Sequence, residues 1–353
     1  MWRQLSRMSQ ENPITLAGLS LTHTNWLIVL VLVCSSLYTS GSHASSNVVV
    51  TLSPIHSITS AITKGARDPD LLIDKQGSAH HLSLRPSQAR MLQNAKLVIR
   101  VSAGLESFLD QTLQSMGGKS RLLTLAPIDS SSLLAIRESL HLKSLGNHSL
   151  RNNNEHGEQA GNADGNAANN ADSIAIDTHL WMSPQIVKQW VKPIALELSQ
   201  LDPEYAELYQ LNASELIQRL DELDKHIAES IEAIEKPVLV VYHDSYQYFE
   251  KRYGLQSVAA LHDHADNRVG ARSLQALFKQ LEAHDTDTGQ SSERYCLLVP
   301  PAQLEAGIVE QLTDNDHLRI VKTDPLGWHF KPGPDFYFEM MRELADGLSA
   351  CAS

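Results

Sequence analysis

The chain has 353 residues, 42% of them hydrophobic, which is more than one compact core needs and suits two domains. Its formal net charge of −12 excludes the clustered lysine and arginine surface by which proteins hold phosphate backbones, so no nucleic-acid partner is expected.

Arg3 and Arg7 precede an apolar run from Trp26 to Val33 that gives way to small polar residues, the pattern of an export leader. Ser42 and Ala44 stand at the two positions a signal peptidase reads. Residues 1–44 are therefore predicted to be a cleaved signal peptide, with an exported mature chain starting at Ser45. Cys34 follows the bulky Val33 rather than Gly, Ala or Ser, which argues against a lipid anchor. The apolar run is also shorter than the roughly 20 residues a membrane span requires.

From Asn47 to Leu52 the β-branched run reads as a strand, and Pro54 suits the first turn of a helix carrying Ile58 and Ile62. A second βα unit follows, with a strand over Leu97 to Val101 and a helix over Gly104 to Leu113. Leu122 to Ala126 is a third strand. Strands alternating with helices imply an α/β lobe with a parallel sheet flanked by helices, here predicted over residues 45–200. Within it, 147–173 is rich in Asn, Gly and acidic residues without hydrophobic period, and is predicted to be a mobile loop. His141, His148 and His156 lie in or beside it and either gather metal weakly or, as preferred, are ordinary polar residues of the loop.

Ser183 and Pro184 start a helix running to about Leu198, and a longer one begins near Pro203. In the longer one Leu216, Leu220, Leu223, Ile227, Ile231 and Ile234 recur every three or four residues, so one stripe is buried along its length. Such a helix spans about 45 Å at 1.5 Å per residue, enough for a rigid spine over 201–235 joining two lobes. The competing reading of that stripe is a coiled-coil dimer seam; a monomer is expected. The second lobe, 236–353, repeats the alternation. A strand over Val238 to Tyr242 leads to a helix from Asp244, a helix over Ala271 to Ala283 and a strand over Tyr295 to Val299. The strand Leu318 to Thr323 then precedes a last helix from about Asp335 to Leu348.

After the leader, Cys296 and Cys351 remain, and an even pair in an exported chain is expected to oxidise, with two buried free thiols as the alternative. The bond closes a loop of about 55 residues and contributes about 4 kcal/mol on the chain-entropy account.

Four residues stand where chemistry is expected. His80 and His179 lie on turns just ahead of helices, while His243 and Asp324 follow the carboxyl ends of strands, the edge of an open α/β sheet where ligands bind. Neutral imidazole suits zinc, and three imidazoles with one carboxylate complete a tetrahedron. Magnesium and calcium prefer oxygen cages. With sixteen histidines in the chain, this spacing is no local motif and leaves other sets open. His262 and His264, flanking Asp263, are either an accessory metal site or a solvated turn, with the turn preferred; His81 and His329 are taken as polar neighbours.

The blocks His80-His-Leu-Ser-Leu-Arg-Pro-Ser87, His179-Leu-Trp-Met-Ser-Pro184, Tyr242-His-Asp-Ser-Tyr-Gln-Tyr248 with Tyr253-Gly-Leu255, and Asp324-Pro-Leu-Gly327 occur in this order. Together they resemble the ZnuA family of periplasmic zinc-binding proteins serving bacterial zinc ABC importers, within the wider TroA-like group. The resemblance implies that His80, His179 and His243 are zinc ligands, with Asp324 at the position of a carboxylate ligand. It implies delivery of zinc to a membrane permease and a disulfide between Cys296 and Cys351. Manganese-binding relatives carry glutamate in place of the third histidine, so His243 favours zinc over manganese. Ala79 stands where some relatives have an additional glutamate donor, and the loop at 147–173 lacks the dense histidine common in the family.

On this reading the chain is not an enzyme. A zinc hydrolase would share the open three-histidine site, but no His-Glu-x-x-His stretch is present. A manganese-binding homologue or an extracellular zinc-binding adhesin remain the nearer alternatives. Because only the neutral ring binds, zinc affinity is expected to weaken as pH falls through about 6.5.

Overall fold

The structure is a computed structural model and describes residues 47–74, 84–115, 117, 119–126, 132–137, 140, 176–262, 271–288, 295–304 and 318–353. The predicted leader over residues 1–44 with Cys34, the predicted loop at 147–173, and His80, His81, His141, Asp263 and His264 lie outside the described residues.

Among the described residues two four-stranded sheets form, and every pairing within them is parallel. The first contains β1 (Val48–Val50), β2 (Asp70–Leu71), β3 (Leu97–Arg100) and β4 (Arg121–Thr124) in the order β2-β1-β3-β4. All three valines of β1 and all four residues of β3 are buried, as expected of strands covered on both faces. In the second, β5 (Val238–His243), β6 (Gln256–His262), β7 (Tyr295–Val299) and β8 (Leu318–Lys322) lie in the order β6-β5-β7-β8. The strand β6 escaped the sequence reading because Gln256-Ser-Val-Ala-Ala has little β-branched character. It pairs with β5 across a register shift between Leu239 and Val240, which leaves His262 opposite His243 along the backbone.

The first helix, α1 (Ser53–Thr63), is buried at every residue, which a helix reaches only when packed on all sides. Its polar groups are paired inside: Thr59 Oγ1 donates to Ile55 O at 2.9 Å, and His56 Nε2 meets Pro69 O at 2.9 Å. Short helices α2 (Pro86–Asn94) and α3 (Phe108–Ser115) flank the first sheet. The start of α3 falls four residues later than the hydrophobic spacing predicts. Glu106, fully buried, accepts hydrogen bonds from the Val101 and Ser102 amides at 3.0 and 2.9 Å and from Thr51 Oγ1 at 2.7 Å, holding the preceding turn out of the helix. Burial pushes the Glu106 carboxyl above its usual range, and these donors oppose the rise.

A long pair follows, α4 (Pro184–Leu201) and α5 (Ala206–Glu232), joined through a 3-10 turn at Pro203–Tyr205. The predicted stripe holds at Leu216, Leu220, Leu223, Ile227 and Ile231, all buried, but the helix ends at Glu232, so Ile234 lies beyond it and is only half-buried. At 27 residues α5 is about 40 Å long. The second sheet is flanked by α6 (Gln247–Tyr253), α7 (Ala271–Thr288) and α8 (Phe336–Ala352). One apolar core runs from β1 through α1, α4 and α5 to α8 and the near face of the second sheet, and a smaller one lies between that sheet and α7. Cys296 on β7 and Cys351 on α8 are bonded, fastening the helix to the sheet. Among the described residues no helix is long and apolar enough to cross a membrane.

Candidate metal site between the two sheets

His243 is the last residue of β5, buried, at the carboxyl edge of the second sheet. Its neighbours reverse the chain at once: Ser245 N donates to His243 O at 2.8 Å, so α6 begins at Gln247 rather than at Asp244. His179 arrives from the other half of the chain, immediately before a 3-10 turn at Leu180–Met182 that leads into α4. The two rings meet. Their Nε2 atoms lie 3.3 Å apart, with centroids at 5.0 Å and planes at 72°.

That separation has chemical meaning. Two imidazoles bound to one tetrahedral zinc at about 2.0–2.1 Å hold their nitrogens roughly 3.3–3.4 Å apart, the edge of the tetrahedron.

The surroundings fix His179 further. Asp177 Oδ1 accepts from the His179 amide at 2.9 Å and from its Nδ1 at 2.7 Å. Trp181 lies edge-on to the ring at 5.3 Å, and its Nε1 donates to Pro325 O at 2.7 Å. In turn Tyr337 Oη donates to Trp181 O at 2.8 Å.

Asp324 is buried two residues beyond β8, next to the proline that Trp181 holds. Its Oδ1 accepts from Leu326 N at 2.8 Å. Burial pushes its carboxyl up, and the amides of Leu326, Trp328 and Gly327 pull it back. The chain can turn sharply there because Gly327 takes φ +60°, and a β-carbon would sit 2.6 Å from the Phe336 ring. Among the described residues, no three His, Cys, Asp or Glu side chains converge as a metal cluster, so Asp324 does not close a trio with the two imidazoles. His329 bonds Glu343 at 2.8 Å, in keeping with its reading as a polar neighbour.

A second set of charges lies beside the imidazoles. Arg137 reaches from the first half of the chain to pair with Asp244 and Glu250, its Nη1 at 2.6 Å from Glu250 Oε2 and its Nη2 bonded to Asp244. Burial works against the Arg137 charge, but the two carboxylates outweigh it and raise the guanidinium further. Asp244 is pushed up by burial and by the nearby charges of Asp177 and Glu250, against the pull of Arg137. Tyr248 Oη accepts from Leu134 N at 3.1 Å and donates to Asp177 O at 2.9 Å. Sequence reasoning passed over Asp177, Arg137 and Tyr248 as functional residues. A carboxylate two places before a candidate ligand was the one local signal available; the Arg137 and Tyr248 contacts join residues between 71 and 114 positions apart and leave no local trace.

Two parallel sheets with flanking helices and a long helix define the fold class, and solved structures share this fold. A crystal structure of ZnuA superposes with a TM-score of 0.64 at 17% identity over 87% of this chain and 98% of that one. The zinc-bound ZnuA-like domain of Streptococcus pneumoniae AdcA gives 0.60 at 17% identity over 86% and 98%. The sequence matches, over residues 48–351, the family described as ZnuA, zinc-uptake complex component A, periplasmic, and the chain belongs to that family. Among relatives, the high-affinity zinc uptake system protein ZnuA of Brucella suis is 30% identical over 323 residues, covering 87% of this chain and 91% of the relative. That of Haemophilus ducreyi is 28% identical over 310 residues, covering 87% and 94%.

Proposed function

We propose that the chain captures a zinc ion between its halves with His80, His179 and His243, with Asp324 in reserve as a carboxylate donor, and passes it to the permease of an ABC-type zinc importer. The observation that carries this reading is the 3.3 Å gap between the Nε2 atoms of His179 and His243, which matches a tetrahedral edge. Nitrogen donors favour zinc over manganese. Capture and release require no bond-making chemistry in the protein, so no catalytic role is assigned to Asp244 or Asp324. We further take residues 1–44 as a removed leader, 45–200 and 236–353 as the two metal-holding lobes with 201–235 between them, and the working form as a monomer in the periplasm.

The test is metal content and zinc titration of the purified protein beside His80→Ala, His179→Ala and His243→Ala. Stoichiometric zinc lost in each variant supports the reading; wild-type affinity in the His179 and His243 variants overturns it. For delivery, growth in chelated medium is compared with and without the cognate permease. Rescue that does not need the permease argues for the adhesin alternative.

A further inference from the structure

Asp177 is buried, with Oδ1 accepting two hydrogen bonds from His179 and Oδ2 having no hydrogen-bond partner among the described residues. A carboxylate oxygen only accepts, so the 2.7 Å contact requires the proton of His179 to sit on Nδ1. That leaves Nε2 with its lone pair facing His243. The main chain of Asp177 is itself clamped from both sides: its amide donates to Leu134 O at 2.8 Å, and its carbonyl accepts from Tyr248 Oη on α6 at 2.9 Å. The segment carrying Leu134 is fastened to the same helix by Gln247 Nε2 on Ala135 O at 3.1 Å and by Arg137 on Glu250.

We propose that Asp177 is a positioning residue for the metal site: it fixes His179 as the Nδ1–H tautomer with Nε2 aimed at the cation, and Tyr248, from the other half of the chain, holds Asp177 in place. The proposal rests on His179 being a ligand. A ring donating to a buried carboxylate is also the more basic donor, so the same contact strengthens the bond that Nε2 makes. Half of the Asp177 carboxylate lies buried without a hydrogen-bond donor among the described residues, and a dication one imidazole away offsets that burial.

The bond from Oδ1 to the His179 amide is also an ordinary local turn, so a purely structural role must be separated. Long-range imidazole nitrogen spectra of the chelator-stripped protein read the tautomer directly, with the His179 signal assigned by its loss in His179→Ala. The wild type is expected to show Nδ1–H with an unprotonated Nε2. Asp177→Ala is expected to populate Nε2–H and to weaken zinc binding by about 10- to 100-fold. Asp177→Asn, whose amide oxygen still accepts, should keep the tautomer and lose less; Tyr248→Phe should fall between wild type and Asp177→Ala. A wild-type His179 protonated on Nε2 overturns the proposal even if no variant folds. So does Asp177→Ala with wild-type tautomer and affinity. If His179→Ala binds zinc as tightly as the wild type, the zinc-site reading fails instead, and the spectra still report the Asp177 bond on its own.

Discussion

Trp181 links both halves of the site through one side chain, its indole edge-on to His179 and its Nε1 bonded to Pro325 O. Its emission should therefore change when a cation draws the His179 ring, and Trp181→Phe should abolish most of that change in a zinc titration followed by fluorescence. The same variant leaves the half-buried Pro325 carbonyl without its donor, at about 1 kcal/mol by urea unfolding. Removing a first ligand should be harsher than removing an outer partner: His243→Ala should lose more than about 100-fold in zinc affinity by competition with a chromophoric chelator. His243 was legible in the sequence because a histidine closing a β-branched run must fall at a sheet edge. The company it keeps was not legible, since the 3.3 Å contact joins positions 64 residues apart.

Asp224, midway along α5, holds three helices together. It accepts from Gln185 on α4 at 2.7 Å, from Tyr253 at 3.0 Å and from Arg252 Nε on α6 at 2.8 Å. Burial alone would raise its carboxyl, but Arg252, Gln185 and Tyr253 outweigh burial and hold it below the usual aspartate value of 3.8. A depressed native value means the folded chain prefers the ionised form and unfolding takes up a proton. The contribution is therefore complete above about 3.8 and is lost as pH falls through the lower native value. Asp224→Asn should cost about 1–3 kcal/mol near neutral pH, with the gap to wild type closing below pH 4 in urea titrations. The apolar stripe of α5 was plain in the sequence because a three-four period sustained along a helix of 27 residues marks one buried face. Helix starts were less plain. Glu106 and Ser245 delay α3 and α6 by polar turns whose partners include groups far along the chain or adjacent carbonyls, and hydrophobic spacing is blind to both.

Across the molecule, α5 packs against α1, α4, α6 and α8, and a single apolar core passes between the sheets. Opening the halves widely would expose that core, so cation release should proceed by small tilts and loop adjustments. X-ray scattering of the zinc-loaded and chelator-stripped forms should give superimposable profiles; a clear expansion would contradict this. The bond between Cys296 and Cys351 secures α8 to β7, and its reduction should lower stability by about 2–5 kcal/mol in calorimetry with and without reductant. Both α/β lobes were evident from alternation alone, whereas the shared core was not, because it depends on which faces meet and no periodicity encodes that.

One contact joins the two ends of the described chain. Tyr337 N at the head of α8 donates to Ser57 Oγ in the fully buried α1, 280 residues earlier. The first described helix also packs against α4 and α5, but the part of its cover that α8 supplies is missing until almost the whole polypeptide has been made, and closing so distant a pair is slow. In the interval Ile55, Ile58 and Ile62 present a greasy surface to any passing chain, so a newly made molecule should depend on a holding chaperone, and shortening it ahead of Phe336 should leave the first lobe to aggregate as well as the second.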